Sequence, residues 1–280
     1  MAIQQDATME STDLGVYVYC FAPSGIQSHP GFVGVDGQTP VGVLDMGKVA
    51  AVYSLVSLDE FEGEAGETRL ADPTWVVPRA CAHECVTEGV MKEAAACLPV
   101  RFGTLFASPD ALADFLASNA TGIARFLAYI SDKEEWSVKL FMDTEMVTAW
   151  RMDQDPVLAA KRARMSESPG ARYLQEKQLN KEARRQAKQC NAALAQTIQA
   201  QVQELCLDFL PLKLQDPRAS GRTEEMILNG AVLLYRDRVA TFRDRMEEIE
   251  MRHAEQGLAA ETAGPWPPYH FCEDIEGVPE

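Results

Sequence analysis

Three observations predict an α+β fold in two domains. Alternating runs rich in Val and Tyr are interleaved with helical periodicities, and a polar joint at 131–135 resets the pattern. Beyond that joint the elements fall in the order strand, helix, strand, strand, helix, strand, which is the ferredoxin-like βαββαβ order with one long helix. The 280 residues suit two modest domains, expected at 14–133 and 134–280 after a loose polar tail at 1–13.

In the first domain, residues 15–21 (GVYVYCF) end at Ala22-Pro23-Ser24-Gly25, a strand and its turn. Short strands are expected at 31–35 and 40–44, flanking Asp36-Gly37, and another at 49–57 (VAAVYSLVS). Residues 59–72 form an acidic loop. Pro78 is placed to open a helix whose stripe runs through Ala82, Val86, Val90, Ala94 and Cys97. Residues 98–106 (LPVRFGTLF) then read as a strand. Ser108-Pro109-Asp110 is a helix start, followed by the apolar stripe Leu112, Leu116, Ile123, Leu127, Ile130.

In the second domain, 136–143 (WSVKLFMD) alternates as a strand. Ser168-Pro169 opens a long helix reaching about residue 208, with the later stripe Ala187, Cys190, Leu194, Ile198, Val202, Leu205. Residues 209–215 form a strand and 216–221 a turn. Asn229-Gly230 is either a hairpin turn or a break before a strand at 231–235. Val239, Phe242, Met246, Ile249 and His253 mark one face of a final helix, and 266–272 is a last extended piece. There Trp266-Pro267-Pro268-Tyr269 is expected on a sheet edge with both aromatics packed inward, because two prolines in series forbid helix and central strand.

The formal charge of −16 comes from 26 Lys plus Arg against 42 Asp plus Glu, and it disfavours non-specific phosphate binding by the whole molecule. It is unevenly placed: residues 1–135 carry 7 basic and 19 acidic groups, a net −12, while 161–188 hold nine basic against three acidic ones. This basic arm (Arg172, Lys177, Lys181, Arg184, Arg185, Lys188) lacks interleaved aromatics beyond Tyr173. A solvated face, or one meeting an acidic protein, suits it better than nucleic acid. No secretory signal begins the chain and no apolar run reaches membrane-spanning length, so a cytoplasmic protein is expected. Seven Cys, an odd number spread along the chain, fit reduced and mostly buried thiols.

Local chemistry is sparse. Cys81-Ala82-His83-Glu84-Cys85 holds zinc-ligand types. On one helix, however, the two Cys lie within about 40° of each other and His83 points roughly 200° from Cys81. No second pair completes a tetrahedron, so the Cys are expected to be buried and His83 to be a surface or capping residue. His253 is expected as a core or helix-end residue. Gly47-Lys48-Val49 lacks the hydroxyl of a P-loop, and no G-x-G-x-x-G follows a strand. The acidic cluster at 59–64 lacks the twelve-residue calcium register. Arg101, amid apolar neighbours in its strand, is expected to pair with a carboxylate. No catalytic, cofactor-binding or metal-ligating residue is therefore assigned, and no cofactor is expected. The residues that bind a partner are not identifiable at this level.

Four stretches together resemble the gas vesicle GvpF/GvpL family: Val16-Tyr17-Val18-Tyr19; 75–86 with Pro78-Arg79 and His83-Glu84; LPVRFGT at 98–104; and GPWPPYHF at 264–271. The likeness runs from about 14 to 272. It implies two α+β domains, the second a modified ferredoxin-like one. It also implies an accessory protein of gas vesicle assembly that is not an enzyme, located at the vesicle or in the cytoplasm. The partners it implies are the shell protein GvpA and other accessory proteins, with no nucleic acid and no membrane. The alternative left by the residues themselves is a small-ligand-binding or enzymatic α+β protein using a ferredoxin-like sheet face, with Arg101 and His83 the nearest to suitable groups.

Overall fold

The computed structural model describes residues 14–27, 31–216, 221–272 and 277. The expected tail at 1–13 lies outside them, as do 217–220 of the expected turn. The chain divides into two compact units: one takes the residues up to Asp132 together with those from Pro267 onward, and the other is Lys133–Trp266. The first crossing falls at the polar joint. The second departs from the expected 134–280, since the last stretch belongs to the first unit. Proline at 267 and 268 offers no backbone donor for strand pairing, and Tyr269 bonds Glu84 of the first unit.

In the first unit, β1 (Leu14–Pro23), β2 (Gly42–Asp45) and β3 (Val49–Ser57) precede α1 (Gly63–Leu70) and α2 (Pro73–Glu93). Then come β4 (Leu98–Pro99), β5 (Leu105–Phe106) and α3 (Pro109–Ile130). The sheet runs β2-β3-β1-β4, with β5 also on β1, and every pairing is antiparallel. β1 buries everything from Val16 to Ala22, because both of its faces are covered. Tyr17 and Tyr19 cluster with Val86 and Val90 of α2, while Phe21 and Phe106 lie against Phe115 of α3. The α3 stripe is buried as its spacing predicts, and Ser108 Oγ caps the helix by accepting from Ala111 N.

Four expectations for this unit are corrected. The run 98–106 is not one strand: Thr104 N donates to Arg101 O at 3.2 Å and Gly103 takes φ +90°, so a turn splits it and Arg101 stands exposed in that turn. The acidic loop folds into a 3-10 turn (Leu58–Glu60) and α1. Helix α2 starts at Pro73 and not at Pro78, because Asp72 Oδ1 accepts from Thr74 N at 2.9 Å and proline suits the first helical position. The pair of strands around Asp36 reduces to a Val33–Pro40 bridge and β2, with Asp36 Oδ1 taking the Gln38 and Thr39 amides.

The second unit opens with β6 (Lys133–Met142), followed by α4 (Thr144–Gln154), α5 (Pro156–Ala163) and α6 (Pro169–Gln203). It ends with β7 (Asp208–Pro211), β8 (Glu225–Tyr235), α7 (Val239–His253) and β9 (Leu258–Trp266). Its antiparallel sheet runs β7-β8-β6-β9. Ala187, Ile198 and Val202 of α6 and Phe242, Met246 and Ile249 of α7 share one apolar core with alternate residues of β6 and β8. The periodic signal did not show α4 and α5. Both are short and start on aspartate caps, Asp143 taking the Glu145 and Met146 amides and Asp155 those of Val157 and Leu158. Asn229-Gly230 neither turns nor breaks the chain, since β8 is continuous there. Asn229 Nδ2 donates to Lys213 O at 2.8 Å, and a Cβ on Gly230 would lie 2.5 Å from Phe209 Cζ, which is why glycine stands mid-strand. The last strand spans Leu258–Trp266 and not 266–272. It follows a turn at Gly257, whose φ is +87° and whose carbonyl accepts from Asp143 N at 2.9 Å.

Candidate functional site

The first unit gathers its titratable groups where β1 meets α2. Two tyrosines on an otherwise apolar strand, buried from Val16 to Ala22, must find partners for their hydroxyls. Tyr17 Oη lies 2.9 Å from His83 Nδ1 and accepts from Gly103 N at 3.1 Å. His83 Nε2 lies 3.2 Å from the Val100 carbonyl. These bonds fix the tautomer: Nε2 carries the hydrogen for Val100, and Nδ1 accepts from Tyr17. Tyr19 Oη accepts from Val35 N at 2.9 Å and shares a hydrogen with Ser54 Oγ at 2.7 Å. Phe102 packs edge-on to both Tyr17 and His83.

Burial sets the electrostatics. It lowers His83 to about 4, so the ring is neutral at pH 7, and raises the Tyr19 phenol to about 12. Tyr17 is pushed above the ordinary phenol range for the same reason. The imidazole and both phenols spend their hydrogen-bonding capacity inside the fold. The cluster thereby ties the 98–106 segment and the 31–41 segment to β1.

The chain terminus joins the same cluster. Pro267 and Pro268 are buried, and Tyr269, in the 3-10 turn Tyr269–Phe271, donates from Oη to Glu84 Oε1 at 2.8 Å. Burial raises the Glu84 carboxyl above its usual range, and burial beside that carboxylate also raises Tyr269. Trp266, expected to pack inward, ends β9 with 42% of its surface exposed. One turn away on α2, Arg79 stacks on Trp75 at 4.1 Å and reaches Glu60 at 3.2 Å.

The helix places Cys81, His83 and Cys85 as their spacing requires, but with the sides reversed. His83 is 1% exposed and both Cys face solvent. Core burial went to the residue with two hydrogen-bond partners and an aromatic surround. His253 ends α7 half-buried, 3.3 Å from Gln256 Oε1. The doubled tyrosines of β1 were the available signal for the cluster, and only tertiary pairing shows what they hold.

The basic arm lies on α6, whose residues 169–178 are exposed throughout. Its cations are partly engaged: Lys161 pairs with Glu182, Arg172 with Glu176 and Arg184 with Glu145. Among the described residues no three His, Cys, Asp or Glu are placed to hold a metal, and no helix is long and apolar enough to cross a membrane.

These features define a two-unit α/β protein with antiparallel sheets, in which buried polar groups brace the fold. Residues 15–273 match the family described as gas vesicle synthesis protein GvpL/GvpF, and the chain belongs to that family. It is 26% identical to gas vesicle protein L of Streptomyces sp. (strain CB03234), covering 96% of this chain and 98% of that one. It is 28% identical to gas vesicle protein L2 of Halobacterium salinarum (strain ATCC 700922 / JCM 11081 / NRC-1), with 97% and 96% covered. The fold is similar to the crystal structure of GvpF from Anabaena sp. PCC7120, with TM-score 0.67, 19% identity, and 94% of this chain and 99% of that one covered. It is also similar to GvpF from Microcystis aeruginosa, with TM-score 0.60, 20% identity, and 92% and 98% covered. The four stretches behind the family resemblance supply Tyr17, His83 with Glu84, Val100 with Gly103, and Tyr269, which meet in the one cluster.

Proposed function

We propose that this chain acts in gas vesicle formation as an accessory protein, holding the shell protein GvpA, other accessory proteins, or both, and that it carries out no catalysis. The observation that carries this reading is the family match, which spans both units. The clustered Tyr and His side chains support it, since their hydrogen bonds are spent on internal bracing and hold no group poised over a cleft. A shell subunit with a large apolar face aggregates unless a soluble partner covers it, and sheet edges and charged helices are the usual means. In this reading the acidic first unit, with β2 at its sheet edge, meets the shell protein at the vesicle or in the cytoplasm. The second unit is then a modified ferredoxin-like domain, a reading supported by its β7-β8-β6-β9 order with α6 and α7 packed into the same core.

Co-expression of the full-length chain with GvpA, followed by affinity capture, tests this. GvpA is expected to co-purify, with recovery falling as salt rises. Failure to capture GvpA or any other vesicle protein, with vesicles still forming in a host lacking this chain, would overturn the reading.

A further inference from the structure

We propose that this chain self-associates head to tail, the exposed cationic stripe of α6 in one copy docking on the acidic α1 of a second copy. Lys177, Lys181, Arg185 and Lys188 recur at one side of α6, are exposed, and form no ion pair among the described residues. That side is opposite the one buried by Leu179, Ala183 and Ala187. Just ahead of the stripe stand Tyr173 and Leu174, 64% and 60% exposed, which the core does not use. The stripe is a basic exception in a chain of net charge −16.

Its complement is in the first unit. Glu64, Glu67 and Leu70 succeed one another three residues apart on α1. All three are exposed, and neither glutamate forms an ion pair among the described residues. Read from its carboxyl end, α1 presents apolar, acid, acid; read from its amino end, α6 presents apolar, base, base. Laid antiparallel, Leu70 meets Leu174, Glu67 meets Lys177 and Glu64 meets Lys181, at matching spacings of about one helical turn. Antiparallel packing also opposes the two helix dipoles favourably. The two patches are different surfaces, so a single contact leaves one stripe and one acidic helix of the pair open, for a third copy or for a reciprocal second contact. Charge dominates so small a contact, which makes it weak and salt-sensitive. This inference does not rest on the assembly reading above, and the test uses purified chain alone.

Sedimentation velocity of the full-length protein at low and high salt tests it, with two variants that leave the core untouched, Lys177→Gln/Lys181→Gln and Glu64→Gln/Glu67→Gln. The wild type is expected to gain mass with concentration at low salt and to return to monomer at high salt. Each variant alone stays monomeric. Mixed, they form 1:1 dimers and nothing larger, since the pair retains one intact stripe and one intact acidic helix. A wild type that is monomeric at every concentration overturns the proposal, as do variants that associate like the wild type or fail to pair on mixing. A monomeric wild type whose variants melt lower would place the contact within one chain. A monomeric wild type that binds a single-stranded oligonucleotide through the stripe would assign it to nucleic acid. Either outcome defeats self-association.

Discussion

The two units are held together by different means. In the second, Trp136, Val138, Leu140, Val232 and Leu234 meet Ile198, Val202, Phe242 and Met246 in an apolar cluster, and the buried polar groups bond singly, Trp136 Nε1 to Glu134 and Asn229 Nδ2 to Lys213 O. In the first, β1, buried from Val16 to Ala22, carries two phenols, and the packing works only because His83, Ser54 and the backbone amides of Gly103 and Val35 take up their hydrogen bonds. An apolar core is most sensitive to changes in volume and shape, and a polar cluster to the loss of a hydrogen-bond partner. The units should therefore respond to different perturbations.

The largest effect is expected in the apolar core. Phe242→Ala removes a ring with no exposed surface and should cost about 3–5 kcal/mol, read as a lower midpoint in urea with little change in slope. A loss under about 1 kcal/mol would mean that α7 is not packed as described.

Acid should act on the first unit. His83 titrates at about 4 when folded, against 6.5 for an ordinary imidazole. Below 6.5 the unfolded chain therefore takes up a proton that the folded chain refuses. The contribution is complete above pH 6.5 and is lost as pH falls toward 4, reaching about 3 kcal/mol from a shift of this size. Stability measured between pH 7 and 4 should show this decline, and His83→Gln should flatten it at some loss of stability at pH 7. A wild-type profile flat across that window would show that His83 is not held neutral by the fold.

Gly230→Ala sharpens the comparison from the other side, because it adds one methyl at 2.5 Å from the Phe209 ring. The second unit should lose about 1–3 kcal/mol by overpacking. A smaller effect, about 1 kcal/mol, is expected for Tyr269→Phe, which deletes the hydroxyl that Tyr269 donates to Glu84. A change in proteolytic susceptibility confined to the terminal residues would check it.

Much of this architecture was legible in the sequence where local and global preferences agree. Residues 49–57 are β3 as their alternation indicates, and Ser108-Pro109 starts α3 with its stripe buried. Legibility failed where tertiary partners decide. Leu258–Trp266 is poor in β-branched residues and becomes a strand because β6 offers an edge. Gly103 divides 98–106 so that its amide can reach Tyr17, a residue far away in the chain. Whether Cys81 or His83 faces inward could not follow from helical spacing, which fixes their separation but not which side meets β1. The family resemblance was readable from four stretches, and the structure adds that they are one physical cluster.

In the proposed function, the cluster of Tyr17 and His83 braces the fold and takes no part in a reaction. Tyr17→Phe tests it most directly, because it removes one hydroxyl while leaving the ring in place. The measurement is vesicle yield in a host lacking its own copy, taken at a temperature where the purified variant is folded, with its melting temperature measured alongside. Vesicle yield equal to wild type, with a lower melting temperature, is the predicted result. Loss of vesicles with an unchanged melting temperature would contradict it.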